Sequence, residues 1–562
     1  MLSEAEGNTG EGATREPPSG STRSETLSMR RSSLYGNWDI SSVPAESIES
    51  GGAAGGSGKA IGHTPDTHAG EKSDACVVPM NDPNNGAASK PVPAEGREGR
   101  RAAKRNAEQP PAPRTQSRPS ASMGLDSVRE AARAQKATGK KVRFTALMHH
   151  ITPQVLIDSF MKLKKSAAAG VDGVTWRDYE KGLVEQRIGG LWEAVQSGRY
   201  RALPSRRVYI PKADGKQRPL GIAALEDKIV QQAVMTVLTP IYETDFLGFS
   251  YGFRPGRNQQ QALDALWMGF HLKRVNWVLD ADIKAFFDTV DHDWMMRFLE
   301  HRIADRRMLR IIRKWLTAGV VEDGKKTDVR VGTPQGAVIS PLLANIYLHY
   351  VFDLWLQRWR CKDAKGDVIV VRYADDSVVG FEAKADTLQF LEALKVRLAE
   401  FGLSLNETKT RVLEFGRFAA DQRKRAGKRR PETFDFLGFT HICAKTRTNG
   451  RFTVRRLTAT KRMRATLVAL RQTLKRRRHE PIPVIGKWLR RVVQGYLNYH
   501  AVPGNSRRLG RFRLEVARAW LHALRRRGQH GRLDWTRFKR YVARYIPSVR
   551  VLHPYPNERF AS

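Results

Sequence analysis

Short apolar runs alternate with helical repeats between residues 141 and 450. Residues 208–211, 277–283 and 368–373 are rich in β-branched and aromatic side chains, as strands are. Residues 377–381 form another such run, which follows 368–373 after only a short stretch that contains two aspartates. Two strand-like runs so close together predict a hairpin. The mixture of strands and helices predicts an α+β domain built on a small antiparallel sheet.

The part of the chain beyond about residue 455 has a helical pattern. Apolar residues recur there at helical spacing, which is typical of amphipathic helices packed in a bundle. They fall into three groups: Trp488, Leu489, Val492, Val493, Tyr496 and Leu497; Phe512, Val516, Trp520 and Leu524; and Trp535, Phe538, Tyr541, Val542 and Tyr545. We therefore predict that residues 451–562 form a helical domain.

The first 140 residues show neither pattern. They are rich in Gly, Ser, Pro and Ala and have few aromatic residues, so they cannot bury enough apolar surface to offset the entropy of ordering. We predict that residues 1–140 form a disordered extension, in which a short helix begins near Ser127. An α+β region over 141–450 follows this extension and precedes the helical domain.

Positive charge is concentrated in the helical domain. The chain has a formal net charge of +40, and residues 451–562 hold 29 Lys and Arg against 4 Asp and Glu, a net of +25. Residues 1–140 are almost neutral, with 18 basic against 17 acidic side chains. A basic excess confined to one segment indicates a polyanion-binding surface, and nucleic acid is the usual partner.

The cysteines and the apolar runs argue against several other classes of protein. Cys76, Cys361 and Cys443 are far apart in the chain, so neither a disulfide framework nor the usual structural zinc site is expected. No run approaches the roughly 20 apolar residues that cross a bilayer, and the polar N-terminus does not resemble a signal peptide. We expect a cytoplasmic protein without a membrane partner.

Two adjacent carboxylates lie at the tip of the predicted hairpin. Asp375 and Asp376 repel each other there, and a divalent cation such as Mg²⁺ removes that repulsion. A third carboxylate comes from the strand 277–283, where Asp280 and Asp282 share one face, so the spacing leaves both open. Carboxylates that hold two metal ions suit phosphoryl transfer, because the ions activate the attacking hydroxyl and stabilise charge in the transition state.

Seven blocks of residues follow one another between positions 210 and 439. They are Ile210-Pro211-Lys212 with Arg218-Pro219-Leu220-Gly221-Ile222; Tyr251-Gly252-Phe253-Arg254-Pro255-Gly256-Arg257; Asp282-Ile283-Lys284-Ala285-Phe286-Phe287-Asp288; Gly332-Thr333-Pro334-Gln335-Gly336 with Ser340-Pro341-Leu342-Leu343-Ala344-Asn345; Tyr373-Ala374-Asp375-Asp376; Gly402-Leu403-Ser404-Leu405-Asn406 with Lys409-Thr410; and Phe434-Asp435-Phe436-Leu437-Gly438-Phe439. In this order they resemble the blocks of bacterial group II intron-encoded reverse transcriptases. The resemblance implies a right-hand polymerase with fingers and palm over 141–450, and an α-helical thumb and maturase region (domain X) over 451–562.

The resemblance also implies which carboxylates are catalytic. Asp282, Asp375 and Asp376 match the ligands of the two catalytic Mg²⁺ ions, which favours Asp282 over Asp280. The implied reaction is the addition of dNTPs to a primer on an RNA template.

Further roles are implied around the substrates. Phe287 matches the bulky gate that excludes the 2′-hydroxyl of ribonucleotides. Lys212 and Arg218 match residues that meet the triphosphate, where a point charge and a forked guanidinium are both suitable. Gln335 matches the residue that contacts the incoming nucleotide beside the template. The residues that match the primer-gripping turn are Phe436, Leu437 and Gly438.

The basic segment gives the implied polymerase a specific RNA partner. An amphipathic basic helix is expected from Arg456 onward, and such a face reads phosphate and RNA shape more than base sequence. The residues expected to contact RNA are Arg462, Arg476, Arg477, Arg478, Arg525 and Arg526. By resemblance the RNA is a group II intron, whose splicing the protein assists as a maturase and which it copies into DNA at a DNA target during intron mobility.

Many relatives of this type continue into a zinc-containing HNH endonuclease. The residues up to Ser562 contain no cysteine pairs of the kind that such a module uses. Priming is therefore expected from another nick or from a replication-fork end.

Two other functions are compatible with parts of this pattern. A reverse transcriptase of a retron, diversity-generating or defence element shares the polymerase blocks, but the long basic segment after them argues against this class. A polymerase-inactive RNA-binding splicing factor shares the basic segment. The presence of Asp282, Asp375, Asp376, Phe287 and Gln335 argues against that loss of chemistry.

Overall fold

The strands in the described part of the chain form three sheets. The computed structural model describes residues 122–138, 142–211, 217–328, 331–333, 336–527 and 533–561. The strands in these residues are β1 (Ser205–Pro211), β2 (Gln217–Ile222), β3 (Trp277–Asp282), β4 (Val320–Glu322), β5 (Lys325–Thr327), β6 (Val368–Tyr373), β7 (Asp376–Phe381), β8 (Arg411–Glu414), β9 (Phe434–Phe436), β10 (Phe439–Lys445) and β11 (Phe452–Thr458). Their orders in the sheets are β2-β1-β4-β5, β6-β7-β3-β8 and β11-β10-β9. Residues 209–218, the outer ends of β1 and β2, group apart from the rest of the described chain.

Helices account for most of the remaining described residues. Up to β11 they are α1 (Ser122–Ala137), α2 (Pro153–Lys162), α3 (Trp176–Lys181), α4 (Val184–Gln196), α5 (Leu225–Asp245), α6 (Gln259–Leu272), α7 (Phe286–Thr289), α8 (His292–Glu300), α9 (Arg306–Thr317), α10 (Ser340–Leu348), α11 (Leu354–Lys362), α12 (Lys384–Ala399) and α13 (Ala419–Arg425). A π-helical segment, His349–Asp353, joins α10 to α11. After β11 come α14 (Thr460–Arg476), α15 (Ile482–His500), α16 (Ser506–Arg525), α17 (Trp535–Tyr545) and α18 (Pro556–Ala561). None of the helices in the described ranges combines the length and the apolar character needed to cross a bilayer.

The sheet β6-β7-β3-β8 lies between two apolar clusters. All its paired neighbours run antiparallel, which confirms the small antiparallel sheet predicted from the sequence. Successive side chains of a strand point to opposite faces. Accordingly Leu279 and Val379 belong to the larger cluster with α5, whereas Val278 and Val378 belong to a second cluster. With both faces covered, the sheet is a rigid support for the side chains at its end.

The second cluster joins this sheet to the small sheet β11-β10-β9. It includes Leu266 and Phe270 of α6, Phe415 after β8, and Phe434 and Phe439 on the small sheet, all buried. The β9–β10 turn is therefore connected by packed side chains to the sheet that carries the aspartates.

The helices after β11 have an apolar core of their own. Leu489, Phe512, Trp520 and Phe538 are buried in one cluster shared by α14, α15, α16 and α17. The helical pattern predicted for this region is thus confirmed as far as its secondary structure is concerned.

The short helix expected within the N-terminal extension is present in the described residues. Helix α1 begins at Ser122, before the start expected near Ser127, and Val128 and Ala132 on it are buried. The Lys136 ammonium donates to the Thr244 carbonyl of α5 at 2.6 Å. A few small apolar residues are enough to order this helix because α5 offers a surface to pack on. Residues 1–121 lie outside the described residues, and their disorder stays a prediction.

Candidate active site

The two adjacent aspartates lie at a tight turn between β6 and β7. Tyr373 pairs with Asp376 across the hairpin, so Ala374 and Asp375 form a two-residue turn. Ala374 has a φ of 57°, the positive value that turns of this length require at their first central residue. The predicted hairpin is confirmed, and its turn presents Asp375 next to Asp376.

Strand β3 brings a third aspartate to the same place. Asp282, the last residue of β3, is the direct antiparallel partner of Asp376 on β7. Opposite residues of an antiparallel pair have Cβ atoms about 5 Å apart on one face of the sheet. Asp280 is instead opposite Val378, and its carboxylate accepts from the Arg411 guanidinium at 3.1 Å. The register therefore supports Asp282, and not Asp280, as the partner of Asp375 and Asp376.

Negative charge accumulates at this end of the sheet. Burial, followed by the nearby carboxylates of Asp375, Asp282 and Asp280, raises the pKa of Asp376 to about 7. Lys409 opposes this effect and lies 2.9 Å from an oxygen of Asp282 through its ammonium group. A protonated or cation-paired state of the cluster is thus favoured over three free carboxylates.

The side chains of the cluster suit a divalent cation but supply only part of its coordination shell. In the part of the chain that the structure describes, no three His, Cys, Asp or Glu side chains are already grouped for metal binding. The Lys409 ammonium takes the position of a counter-ion on Asp282. Carboxylate oxygens are the ligands that Mg²⁺ prefers, and Mg²⁺ often completes its shell with water and substrate phosphates. The donor chemistry therefore fits, with the remaining ligands to come from the substrate.

The segment 402–410 holds the end of β3. The Asn406 amide donates to the Asp282 carbonyl at 2.8 Å, and the Lys284 amide donates to the Ser404 carbonyl at 2.9 Å. The Thr410 hydroxyl accepts from the Asp282 amide at 3.4 Å. The segment 402–410 thus holds the backbone at Asp282 and at Lys284, and it also supplies Lys409.

Phe287 lies beside the glycine-rich segment that begins at Gly332. The Thr333 amide donates to the Phe287 carbonyl at 2.7 Å, and the Gly332 amide donates to the Val290 carbonyl at 2.7 Å. The Phe287 ring is half-buried, with its centroid 5.3 Å from that of Phe286. Two blocks that are far apart in the sequence are therefore joined directly at this residue.

The structure does not test the other predicted nucleotide-binding residues. Lys212 and Gln335 lie outside the described residues. Arg218 is exposed on β2, in the separate unit 209–218. Their roles stay predictions from resemblance.

The predicted primer-gripping residues form the turn between β9 and β10. Phe436 pairs with Phe439, and both Leu437 and Gly438 between them have positive φ, as a two-residue type I′ turn requires. The Tyr499 hydroxyl donates to the Leu437 carbonyl at 2.6 Å. Sequence reasoning missed Tyr499, because an aromatic residue at helical spacing in α15 has the pattern of a core residue.

Arg462 belongs to this turn rather than to an open helical surface. Its guanidinium lies 5.2 Å from the centre of the Tyr499 ring and is so close to Gly438 that a Cβ there would clash with it. Only glycine leaves room for this contact. Arg462, which the sequence predicts to contact RNA, thus lies beside the predicted primer-gripping turn.

The remaining predicted RNA-binding arginines differ in their exposure and in their contacts within the protein. Arg477 is paired with Glu480 at 2.8 and 2.6 Å and lies 5.0 Å from the Trp488 ring. Arg525 donates to the Leu533 carbonyl at 2.8 Å, and Arg478 donates to His479 at 2.9 Å. Arg476 and Arg526 are exposed, with neither an ion pair nor a side-chain hydrogen bond to any described residue.

The basic helix expected from Arg456 begins later. Arg456 lies on β11 with only 3% of its surface exposed, and its guanidinium is 2.5 Å from the Asp264 carboxylate of α6. The expectation that it belongs to an RNA-facing helix is therefore wrong. A buried, paired arginine and a solvated one look the same in a sequence; the partner 192 residues away in the chain makes the difference.

Comparisons with known proteins agree with this site. Residues 210–441 match the family described as reverse transcriptase (RNA-dependent DNA polymerase). Protein YkfC of Escherichia coli is 36% identical over 315 residues, which cover 49% of this chain and 81% of YkfC.

Two intron-associated proteins are also similar to this chain. The group II intron-encoded protein LtrA of Lactococcus lactis is 37% identical over 216 residues, 38% of this chain and 36% of LtrA. An uncharacterised 91 kDa protein in the cob intron of Schizosaccharomyces pombe is 38% identical over 212 residues, 37% of this chain and 26% of that protein. The chain thus spans most of YkfC but only about a third of LtrA. Together with the ordered blocks and the facing aspartates, these similarities show that the chain belongs to the group II intron-encoded reverse transcriptases, a family of RNA-directed DNA polymerases.

Proposed function

We propose that this chain extends a DNA primer on an RNA template at Asp282, Asp375 and Asp376, with Mg²⁺ as the metal. The observation that carries the proposal is the direct pairing of Asp282 with Asp376 beside the two-residue turn that holds Asp375. Three aspartates from two strands and a turn lie at one end of a sheet whose two faces are both covered by apolar side chains. A structural role gives no reason for this arrangement, since it raises the pKa of Asp376 by gathering like charges.

Each aspartate has a defined part in this proposal. Two bound Mg²⁺ ions would activate the primer 3′-hydroxyl and stabilise charge on the transferred phosphoryl group. Asp282 is held by its backbone contacts to Asn406, and Asp375 and Asp376 are held by the turn. The Lys409 ammonium lies 2.9 Å from an oxygen of Asp282 and would compensate the charge of that carboxylate when no metal is bound.

Substrate selection is proposed for the residues around this centre. Phe287, supported from behind by Phe286, would exclude the 2′-hydroxyl of a ribonucleotide. Gln335 would contact the base of the incoming nucleotide, and Lys212 and Arg218 its phosphates. The turn formed by Phe436, Leu437 and Gly438 would hold the primer, with Arg462 as a charged contact for its backbone.

The helices after β11 are proposed as the thumb and the maturase segment, domain X, and residues 141–450 as fingers and palm. The support is a net charge of +25 over residues 451–562, with exposed arginines such as Arg476 and Arg526. The similarity to LtrA, an intron-encoded protein, favours a group II intron RNA as the partner. The chain would assist splicing of this RNA, copy it into DNA during intron mobility, and act in the cytoplasm.

Primer extension tests the polymerase part. With an RNA template, a DNA primer, dNTPs and Mg²⁺, we expect synthesis by the natural chain and a loss of at least about 1000-fold with Asp375→Ala. Asp421→Ala, at an exposed aspartate of α13, is the matched control and should leave synthesis unchanged. Equal synthesis by Asp375→Ala and the control would contradict the assignment.

Sequencing of co-purified RNA tests the intron part separately. We expect one structured intron RNA to be enriched, and its splicing at low Mg²⁺ to improve when protein is added. An RNA population that mirrors total cellular RNA would favour a polymerase without an intron partner.

A further inference from the structure

A buried arginine lies immediately behind the catalytic turn. Arg372, on β6, has 1% of its surface exposed. Its guanidinium donates to both carboxylate oxygens of Asp353, at 2.7 and 2.5 Å, and Asp353 is fully buried at the end of the π-helical segment. A forked, charge-assisted pair of this kind fixes the plane of the guanidinium as well as its position.

The same guanidinium reaches the turn itself. Its Nη1 donates to the Ala374 carbonyl at 2.8 Å and to the Asn345 side-chain carbonyl at 3.1 Å. Ala374 directly precedes Asp375 and has the positive φ that L-residues avoid. Such a conformation persists only where its surroundings stabilise it, and Arg372 supplies that stabilisation at the carbonyl of the strained residue.

Asn345 connects this arginine to a second support of the turn. The side-chain nitrogen (Nδ2) of Asn345 donates to the Gly252 carbonyl at 2.7 Å. The Gly252 backbone lies so close to the turn that a Cβ there would clash with the Ala374 nitrogen. The preceding residue, Tyr251, donates from its amide to the Arg372 carbonyl at 2.9 Å. The turn is therefore held on one side by a guanidinium and on the other by a backbone segment.

We propose that Arg372 and Asn345 are positioning residues, which hold the turn so that Asp375 and Asp376 meet Asp282 in a geometry ready for metal. The inference rests on the proposed polymerase function. The guanidinium has acceptors on Asp353, Asn345 and Ala374 at once, which an ammonium group cannot satisfy in fixed directions. Buried ion pairs contribute little net stability, so geometry is the better reason for this one.

A second buried pair in the same chain provides a matched control. Arg456 and Asp264 are as buried as Arg372 and Asp353, and their closest atoms are also 2.5 Å apart. Arg456 lies on β11 and Asp264 on α6, and neither bonds to the catalytic turn in the described residues. A change in Arg456 therefore reproduces the loss of a buried pair without the loss of the turn contact.

The test compares Arg372→Lys with Arg456→Lys in the full-length chain. We expect both variants to lose Tm, Arg456→Lys less because Asp264 also lies 3.0 Å from the Arg559 guanidinium. Only Arg372→Lys should raise the Mg²⁺ concentration for half-maximal synthesis by about tenfold and lower kcat by about 10- to 100-fold. The KM for dNTP should change less than about threefold in both variants. Equal kinetic effects of the two substitutions would overturn the proposal.

A milder pair of variants keeps the test decisive if Arg372→Lys does not fold. Asn345→Ser removes the link to Gly252, and Asn505→Ser changes another fully buried asparagine, which bonds to Thr458 and His500 instead. We expect the half-activating Mg²⁺ concentration to rise by about threefold to tenfold for Asn345→Ser alone, because Asn345 acts on the ligands only through the turn. An unchanged metal requirement would refute the positioning role. Absence of synthesis by the natural chain would instead refute the proposed function.

Discussion

The proposed catalytic turn and the helices after β11 use charge in opposite ways. At the turn, three aspartates lie at one end of a buried sheet, and each supporting group has a defined contact: Asp282 with Lys409, and Arg372 with Asp353 and Ala374. Residues 451–562, which contain these helices, hold 29 basic side chains against 4 acidic ones, too few to pair with most of the arginines. Their effect comes from number and spread rather than from position.

The difference predicts how each region responds to substitution. A site that depends on geometry loses its function when one atom group is changed. A surface that binds phosphate by charge loses affinity in small steps, since each arginine contributes a similar share. The following predictions use this contrast, from the largest expected effect to the smallest.

The largest difference in primer-extension activity is expected between substitutions of Asp280 and Asp282, the two aspartates of β3. We expect Asp282→Asn to lower primer extension by at least about 1000-fold, because Asp282 faces Asp376. Asp280→Asn should lower it by less than about 10-fold, because Asp280 faces Val378 and is paired with Arg411. Steady-state rates at saturating Mg²⁺ measure both. Losses of equal size would show that the register does not select the ligand.

Substitutions on the helical surface should act in small steps. Arg476→Ala and Arg526→Ala should each weaken RNA binding about threefold to tenfold and reduce the slope of log affinity against log salt by about 0.7 to 1. Arg477→Ala should change the slope less, because Glu480 already pairs with that guanidinium. Binding titrations at several salt concentrations give the slopes. An equal change for all three arginines would mean that the ion pair opens on RNA binding.

A smaller effect, on stability, is expected from a buried histidine. Burial lowers the pKa of His500 to about 3, while the unfolded chain has an ordinary histidine pKa near 6.5. Between these values the unfolded state holds one more proton, so the free energy of unfolding falls as the pH is lowered below about 6.5. His500→Gln should make this decline shallower by up to about 1.4 kcal/mol per pH unit.

Chemical denaturation at pH 7, 6 and 5 compares the two chains. The ring of His500 packs between Tyr496 and Phe439, so some loss of stability at pH 7 is expected in the variant. The decisive quantity is the dependence on pH. Identical slopes for the two chains would show that His500 gains a proton in the folded state.

Much of the site could be predicted from the sequence because its parts are local. The hairpin at Asp375 follows from two β-rich runs with a short gap. The turn at Gly438 was implied by the resemblance of Phe436, Leu437 and Gly438 to a block of the family. The helical region after β11 follows from its apolar spacing. Each of these signals depends on residues close together in the chain.

The parts that could not be predicted depend on distant partners. The spacing of Asp280 and Asp282 left both open, and only the family resemblance favoured Asp282; the physical reason lies in the β3–β7 register. Arg456 had the composition of a surface helix, and its buried partner Asp264 is far away in the chain. Arg372 had no distinguishing signal, since Asp353 and Asn345 meet it only in the folded protein.

The most direct test of the central claim is the location of bound metal. Crystals or frozen complexes of the chain with an RNA template, a DNA primer and a non-reactive dNTP analogue, with Mn²⁺ in place of Mg²⁺, would show the ions by anomalous scattering or density. The account predicts ions bound by oxygens of Asp282, Asp375 and Asp376 at about 2.1 Å, with Lys409 displaced from Asp282. Ions bound by Asp280, or bound away from the β6–β7 turn, would contradict it.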